Sequence, residues 1–293
     1  MELFQGSAVA LVTPFTDGKV DVPTLHKLVD FQIDSGSSAI IACGTTGEPT
    51  TMTAEEQALV VTETVRAAKG RVPIVAGTGS NSTQSVINTA IRYQDLGCQA
   101  QLVVTPYYNK TTTEGMYRHF MEIAEHTALP IIIYNVPSRT TLDISPEVLH
   151  RLADCPSFIG LKESSYNLPY VMEKILLLNG RIPIYSGNDD MIAPLMALGA
   201  TGVISVLANI MPKETAAITN GYLNGDAAPA LALQLRLMPL IKALFAEVNP
   251  IPCKAAMEML GLCKGELRLP LVPISENARI QLAQALTQAG LTV

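Results

Sequence analysis

Short apolar runs rich in β-branched residues recur through the first two-thirds of the chain. They do not alternate with polar residues, which is typical of strands that are covered on both faces. Stretches with helical periodicity lie between them. The eight apolar runs are 7–12, 39–43, 72–76, 101–105, 130–134, 158–161, 182–185 and 201–206. This pattern predicts a strand followed by a helix, eight times over.

Helix start signals support the alternation. Thr53 to Glu56 has the residue types of a capping box, and Thr111 to Glu114 repeats them. Ser145 and Pro146 place a cap and a proline at the first turn of another helix. These positions satisfy the free N–H groups of a helix start, so they predict helices that begin there.

Eight alternating strands and helices predict a parallel sheet closed into a (β/α)₈ barrel, a TIM barrel. An open, doubly wound sheet is the competing architecture. It would normally carry a G-x-G-x-x-G phosphate loop after an early strand, and Gly77-Thr78-Gly79 stops short of that motif. The chain has 293 residues, a length at which single barrels are common. We therefore favour the barrel.

The strand pattern ends near residue 212, and a helical appendage follows. Three helices are predicted, at 225–246, 250–262 and 275–289. We divide the chain into a barrel domain, 1–224, and a C-terminal helical domain, 225–293. Several apolar side chains of the appendage suit packing against either the barrel or another subunit, and the sequence leaves both open. They are Leu231, Leu235, Leu240 and Leu244.

Composition narrows the class of partner. The formal net charge is -6 and no run of lysine or arginine is present, which argues against nucleic acid and anionic membranes as partners. No basic and then apolar leader opens the chain, and the continuous apolar stretches fall short of about 18 residues. We expect a soluble cytosolic protein with a small-molecule substrate. The odd count of five cysteines, without a C-x-x-C pair, indicates reduced core thiols.

Catalytic groups of such barrels lie at the carboxyl ends of the strands. Lys162 ends the sixth run, within Phe158 to Ser165. Desolvation there favours the neutral amine, which attacks carbonyl groups, so Lys162 is the candidate nucleophile. The alternative is a strand-end lysine that extends its ammonium group into solvent.

A glycine-rich turn follows the second run. In Gly44-Thr45-Thr46-Gly47-Glu48, two hydroxyl groups and free N–H groups precede a helix, which suits a small anion such as a carboxylate. It is too short for a dinucleotide. A simple turn with Thr46 as a helix cap is the alternative.

Phenol groups follow the fourth and fifth runs. Tyr107 and Tyr108 stand at the end of one, and Tyr134 at the end of the other. Phenols beside a lysine can transfer the protons of imine formation, although a tyrosine pair can equally be a packing ridge. Arg139, predicted in the loop beyond Tyr134, could hold a second substrate's carboxylate. The alternative for Arg139 is a surface arginine paired with an acid.

The last two strand ends offer main-chain groups. Gly187 and Ile204 could line the pocket floor. Glu163 and Asp189 could together approach a cation, but hard cations usually take more oxygen ligands than these two supply. We predict neither a metal nor a cofactor.

Taken together, these motifs resemble the dihydrodipicolinate synthase family of pyruvate-dependent class I aldolases. The resemblance runs from Gly6-Ser7 to Leu267-Arg268-Leu269-Pro270. Its most specific stretches are Gly44 to Glu48, Val104 to Asn109, Tyr134 to Thr140, Ile159 to Glu163 and Gly202 to Ser205.

The resemblance implies an enzyme that condenses pyruvate with L-aspartate 4-semialdehyde, on the route to lysine and diaminopimelate. It implies that Lys162 forms a Schiff base with pyruvate, whose carboxylate is bound by Thr45 and Thr46. Tyr134 would relay protons together with Thr45 and Tyr108, and Tyr108 would reach into a neighbouring subunit's site. The resemblance therefore also implies a homo-oligomer, a tetramer built as a dimer of dimers.

Two alternative functions stay open, and the chain departs from the lysine-inhibited members of the family at one group of positions. Sister aldolases, such as the N-acetylneuraminate lyases, share the lysine, the tyrosine and the Gly-Thr-Thr-Gly-Glu turn, so Arg139 is the residue that favours the synthase. A barrel that binds pyruvate without turnover is the other alternative. Lysine-inhibited members carry histidines and a glutamate where this chain has Ala54, Gln57 and Ser85, so we do not expect feedback inhibition by lysine.

Overall fold

The computed structural model describes residues 3–293 and contains a closed barrel of parallel strands. The strands are β1 (Gly6–Ala10), β2 (Phe15–Thr16), β3 (Lys19–Val20), β4 (Ala39–Ala42), β5 (Ile74–Gly77), β6 (Ala100–Val104), β7 (Ile131–Asn135), β8 (Phe158–Glu163), β9 (Ile184–Ser186) and β10 (Gly202–Ser205). The order around the barrel is β1-β10-β9-β8-β7-β6-β5-β4, and β4 pairs with β1. Closure confirms the predicted (β/α)₈ barrel and excludes the open sheet.

Helices follow the strands and cover the barrel. They are α1 (Val22–Asp34), α2 (Ala54–Ala68), α3 (Thr83–Asp95), α4 (Thr113–His126), α5 (Pro137–Thr140), α6 (Pro146–Leu152), α7 (Leu168–Leu178), α8 (Ile192–Ala197), α9 (Pro212–Leu223), α10 (Ala227–Leu244), α11 (Ile251–Met259) and α12 (Glu276–Gln288). The last three confirm the predicted appendage.

The predicted helix starts are correct in two cases and wrong in one. Thr53 and Glu56 form the full capping box of α2, and Ser145 caps α6 with Pro146 in its first turn. At α4 the cap is Thr112, which accepts from the N–H of Gly115, so the predicted box that begins at Thr111 is one residue early. Threonines occupy 111, 112 and 113, and the residue types alone do not distinguish them.

A small hairpin between β1 and α1 was not predicted. β2 and β3 pair in antiparallel fashion around Asp17 and Gly18, which both have positive φ. An Asp-Gly pair is a strong hairpin signal, but each strand has two residues, too few to show alternation.

Two apolar layers hold the barrel together. Inward-facing side chains, among them Ile41, Leu102 and Ile132, fill its interior, and Tyr134 belongs to the same cluster. Outward-facing side chains form a second, larger core with the surrounding helices. Tyr134 and Lys162 are paired across β7 and β8, so both side chains point to the same face of the sheet.

The appendage shares the outer core of the barrel. Leu240 and Leu244 are buried in it, whereas Leu231 and Leu235 are exposed. Of the two alternatives, packing within the chain therefore applies to Leu240 and Leu244, and it does not apply to Leu231 and Leu235. The division into 1–224 and 225–293 stays a prediction; it falls between the end of α9 and the start of α10.

Among residues 3–293, one helix is long and apolar enough to cross a membrane by those two criteria alone. This helix is α10, with a mean hydropathy of 1.3 and a third of its residues buried. The core helices of soluble proteins pass the same test, so the observation is weak. Gln234, Arg236 and Lys242 interrupt it, which is why no long continuous apolar stretch is visible in the sequence.

We expect His119 on α4 to make folding stability depend on pH. Its Nδ1 is 2.9 Å from the Thr83 hydroxyl, its Nε2 is buried without a partner, and burial lowers the pKa of the ring to about 4. Between pH 6.5 and 4 the unfolded chain therefore binds a proton that the folded chain does not. The contribution of the neutral ring to stability is fully present above pH 6.5, and the free energy of unfolding falls by about 3 kcal/mol as the pH is lowered to 4.

We expect urea unfolding at pH 7 and pH 4 to show this loss, and His119→Gln to reduce it. The matched control is His126→Gln on the same helix, where the side chain is exposed. A loss that persists undiminished in His119→Gln would contradict the assignment.

Candidate active site

Lys162 and Tyr134 lie side by side at the carboxyl ends of adjacent strands. The Lys162 Nζ is 4.2 Å from the centre of the Tyr134 ring. Lys162 is only 6% exposed, and Tyr134 is also buried. The alternative of a lysine that extends into solvent is therefore wrong for this residue. A buried amine beside a phenol group brings a nucleophile and a proton-transfer group together.

Lys162 differs from the other two buried lysines in lacking a carboxylate partner for its side-chain nitrogen. Lys174 Nζ lies 2.8 Å from Glu163 and 2.5 Å from Asp143, and Lys254 Nζ lies 2.5 Å from Glu48. Within residues 3–293, Lys162 has no carboxylate partner within 4.0 Å. Burying an amine without a counter-ion is costly, so this arrangement points to function rather than to stability.

Gly187 provides the space beside the lysine. A methyl group at this position would lie 2.0 Å from Ser164 Oγ and 3.1 Å from Lys162 Cε. The main-chain N–H of Gly187 donates to the Glu163 carbonyl over 2.8 Å, so it is not free for a ligand. Ile204 is fully buried in the barrel interior.

A cavity of about 530 Å³ opens at this end of the barrel. Three of the candidate residues, Thr45, Tyr134 and Arg139, lie in its wall, which also includes Tyr107. The volume suits a small molecule. Five candidates are outside the wall: Thr46, Tyr108, Lys162, Gly187 and Ile204.

The turn after β4 is a single 3₁₀ turn, Thr45–Gly47, preceded by Gly44. Thr46 does not cap it, because the turn has no side-chain cap, so the helix-cap alternative is wrong. The first N–H groups of such a turn have no acceptor within it, which leaves those of Thr45 and Thr46 free to bind an anion. Thr45 is exposed, and Thr46 is buried.

Thr46 is held from the appendage. The side-chain amide of Asn249 donates to Thr46 Oγ1 over 2.9 Å. Because the hydroxyl oxygen already accepts this bond, its hydrogen can point to another acceptor, such as a carboxylate.

Arg139 lies on the short helix α5 rather than in the predicted loop. Pro137 favours the first turn of a helix, which explains the difference. The guanidinium group donates to the main-chain carbonyl of Asn249 over 3.3 Å, and in the described chain it has no carboxylate partner within 4.0 Å. The alternative of a surface arginine paired with an acid is therefore wrong within the chain.

Tyr108 is separate from these residues. Its side chain is 92% exposed, its φ is +68°, and it is absent from the cavity wall, in contrast to its neighbour Tyr107.

Glu163 and Asp189 do not face a common site. Glu163 accepts from Asn135, Ser165 and Lys174. Asp189 accepts from the Ser205 hydroxyl and from two main-chain N–H groups, and burial raises the pKa of its carboxyl group. Protein donors thus occupy both carboxylates.

Two further residues of the wall have structural partners. None of the five cysteines forms a disulfide, and burial raises the pKa of the Cys43 thiol to about 12, which disfavours the thiolate form that acts as a nucleophile. Gln57 donates to the carbonyls of Pro49 and Met52 and accepts from Tyr93. Its amide is therefore already engaged within the chain.

A model of the Dihydrodipicolinate synthetase family matches residues 3–289. The chain belongs to this family. The 4-hydroxy-tetrahydrodipicolinate synthase of Caldicellulosiruptor bescii is 50% identical over 294 residues, covering 100% of this chain and 99% of that protein. The family assignment confirms the resemblance seen in the sequence.

Solved structures of dihydrodipicolinate synthases share the fold throughout. The chloride-inhibited enzyme of Acinetobacter baumannii, in complex with pyruvate, is 45% identical with a TM-score of 0.96, and the match covers 98% of this chain and 99% of that one. A dihydrodipicolinate synthase variant described as the first monomeric one is 39% identical with a TM-score of 0.97, over 99% and 98% of the two chains.

One residue of the site was missed by the sequence reasoning. Asn249 contacts both Thr46 and Arg139, although it is separated from them by more than 100 positions. Its only signal was its place in the Asn249-Pro250-Ile251-Pro252 motif.

Proposed function

We propose that this chain performs the 4-hydroxy-tetrahydrodipicolinate synthase reaction with Lys162 as its Schiff-base lysine. The family assignment gives the reaction, which condenses pyruvate with L-aspartate 4-semialdehyde in lysine and diaminopimelate biosynthesis. The assignment of roles to individual residues is our proposal. It rests on one observation above all: Lys162 is a buried amine with no carboxylate partner in the described chain, beside a tyrosine.

The chemistry follows from that amine. Lys162 adds to the keto carbon of pyruvate, and loss of water leaves a protonated imine. The imine draws electrons from the methyl group, so a proton leaves and an enamine forms. The enamine carbon bonds to the aldehyde carbon of the second substrate. The amino group of that substrate then attacks the imine carbon, closes the ring and displaces Lys162 as the free amine.

In this proposal Tyr134 carries protons during these steps. Formation and loss of the carbinolamine require protons to reach and leave oxygen and nitrogen, and the centre of the Tyr134 ring lies 4.2 Å from the reacting nitrogen. Thr45 and Thr46 bind the pyruvate carboxylate through their N–H and hydroxyl groups. The main chain of Gly187 and Ile204 completes the floor in this proposal.

Arg139 is assigned to the second substrate. It lies in the same cavity wall as Tyr134, and it lacks a carboxylate partner in the described chain. A guanidinium group can bind the carboxylate of aspartate semialdehyde through two parallel hydrogen bonds. This requirement favours the synthase over the sister aldolases, whose aldehydes differ.

The function is tested by product analysis with both substrates. Purified protein is incubated with pyruvate and either aspartate semialdehyde or a sugar-derived aldehyde. We expect the cyclic dicarboxylate from the first mixture and no condensation in the second. Preferred turnover of the sugar-derived aldehyde would assign the chain to a sister activity instead.

We also propose a homo-oligomer, a tetramer built as a dimer of dimers, in which Tyr108 enters the site of a neighbouring subunit. The 92% exposed side chain supports this, because within one chain this phenol touches almost nothing. We further propose that the enzyme works in the cytosol, where biosynthesis from soluble metabolites takes place.

Tyr108→Phe tests the role of the phenol across subunits. We expect turnover to fall roughly tenfold to a hundredfold, because a proton-transfer group is lost, while the pyruvate adduct still forms. Tyr166→Phe is the matched control, since Tyr166 is also exposed and is outside the cavity wall. Light scattering gives the oligomeric state in parallel, and unchanged turnover in Tyr108→Phe would contradict the proposed relay.

A further inference from the structure

Asn135 and Glu163 directly follow the two residues assigned to the chemistry. Successive side chains of a strand point to opposite faces, so Tyr134 and Lys162 share the inner face while Asn135 and Glu163 share the outer one. The two outer residues are paired across β7 and β8, next to the Tyr134 and Lys162 pair. The Asn135 side-chain amide donates to Glu163 Oε1 over 2.8 Å.

Two more residues close this pair into a ring. Lys174 Nζ donates to Glu163 Oε2 over 2.8 Å and to Asp143 Oδ1 over 2.5 Å. Asp143 Oδ1 also accepts from the Asn135 amide over 2.8 Å. We call these four residues, Asn135, Asp143, Glu163 and Lys174, the anchoring ring.

Three members of the anchoring ring, Asn135, Glu163 and Lys174, are buried with hydrogen-bond partners, and Asp143 is partly exposed. The side chains of Lys174 and Glu163 have no exposed surface. Glu163 Oε1 accepts a further bond from the N–H of Ser165 over 2.7 Å, and Asn135 Oδ1 accepts from the N–H of Ile144 over 3.1 Å. Loss of one member would leave a charge or a donor buried without a partner. Because that is costly, the hydrogen bonds keep the side chains of the ring in fixed positions.

The anchoring ring holds the elements that carry all three groups assigned to the chemistry, Tyr134, Lys162 and Arg139. It fixes the ends of β7 and β8, which carry Tyr134 and Lys162. Through Asp143 and Ile144 it also fixes the segment that follows α5, which carries Arg139. Misplacement of a reacting group by about 1 Å can reduce the rate about a hundredfold.

We propose that the anchoring ring positions the active site, with Asn135, Asp143, Glu163 and Lys174 as positioning residues for the reaction. They hold the Lys162 amine against Tyr134 and fix the position of α5, which carries Arg139, without contacting substrate. The inference rests on the proposed function, in which Lys162 forms the imine.

Glu163→Gln is the direct test, because glutamine keeps the size of the side chain and replaces one acceptor by a donor that faces Asn135 or Lys174. We expect kcat to fall roughly tenfold to a hundredfold, with the KM for pyruvate within about threefold, because the groups that bind its carboxylate are unchanged. Borohydride trapping of the pyruvate adduct should slow in parallel, and the adduct should remain on Lys162.

Leu286→Ala on α12 is the control for simple destabilisation. Leu286 is fully buried in the outer core, so its truncation lowers Tm without changing the strand ends, and kcat should stay near the wild-type value. If Glu163→Gln does not fold, Asp143→Asn, at a partly exposed member of the ring, is judged by the same criteria with an expected loss in kcat of about threefold to tenfold.

The outcomes separate the two proposals. If the wild-type protein forms no adduct, the proposed function fails. If the wild-type protein forms the adduct and the ring variant forms it at the same rate with the same kcat, the positioning proposal is overturned. Loss of kcat in the ring variant beyond that of Leu286→Ala supports it.

Discussion

Lys162→Ala is expected to abolish the pyruvate adduct and to lower turnover by about ten-thousandfold or more, because no other group replaces a covalent nucleophile. The protein should remain folded. Lys162 has no carboxylate partner within 4.0 Å in the described chain, so its removal breaks no ion pair. Turnover with both substrates and mass analysis after borohydride treatment measure the two effects.

Lys162→Arg is the matched control for this variant. Arginine keeps the positive charge but stays protonated, so it does not add to a carbonyl. If the charge alone were required, Lys162→Arg would retain activity. We expect it to be as inactive as Lys162→Ala, and appreciable turnover in either variant would contradict the role of the amine.

Gly187→Ala is expected to have the next largest effect, a loss of about a hundredfold in kcat/KM. The added methyl group would lie 2.0 Å from Ser164 Oγ and 3.1 Å from both Lys162 Cε and the Glu163 carbonyl. Contacts this short force the lysine stem or the strand end to move, and small displacements of a reacting group are costly. Steady-state kinetics with pyruvate measure the loss.

Ser164→Ala provides the control and a partial rescue. Alone, it removes a buried hydroxyl that has no hydrogen-bond partner, so activity should change little. Combined with Gly187→Ala, it removes the shortest collision, and part of the activity should return because only the 3.1 Å contacts remain. Equal losses in the single Gly187→Ala variant and the double variant would show that the collision with Ser164 is not the cause.

The barrel was predictable because its signal is local and repeated. Each buried strand is a short apolar run, and eight of them with helices between allow few other topologies. Lys162, Tyr134 and Thr45 could be proposed for the same reason, since each lies at the end of such a run or within two residues of it, and strand ends meet at one rim of a barrel.

The contacts that organise the site are long-range, and sequence patterns do not show them. Asn249 and Thr46 are 203 positions apart, and the partners in the anchoring ring come from two strands, a loop and a helix. Glu163 illustrates the difficulty, because it was considered as a cation ligand and proves to be the partner of Lys174. A lone acidic residue after a lysine gives no indication of which helix supplies its counter-charge.

Local errors have local causes. The start of α4 was placed one residue early because three threonines in a row can each cap a helix. Arg139 was expected in a loop because α5 is a single turn of four residues, too short for a periodic pattern. Both errors leave the fold unchanged, but the second matters to the site, since a helix fixes the direction of the guanidinium group.

The most direct measurement is peptide mapping of the protein after treatment with pyruvate and borohydride. We predict one modified residue, Lys162, and no modification of Lys174 or Lys254, whose amines are paired with carboxylates. Modification of another lysine in its place, or no modification at all, would contradict the account.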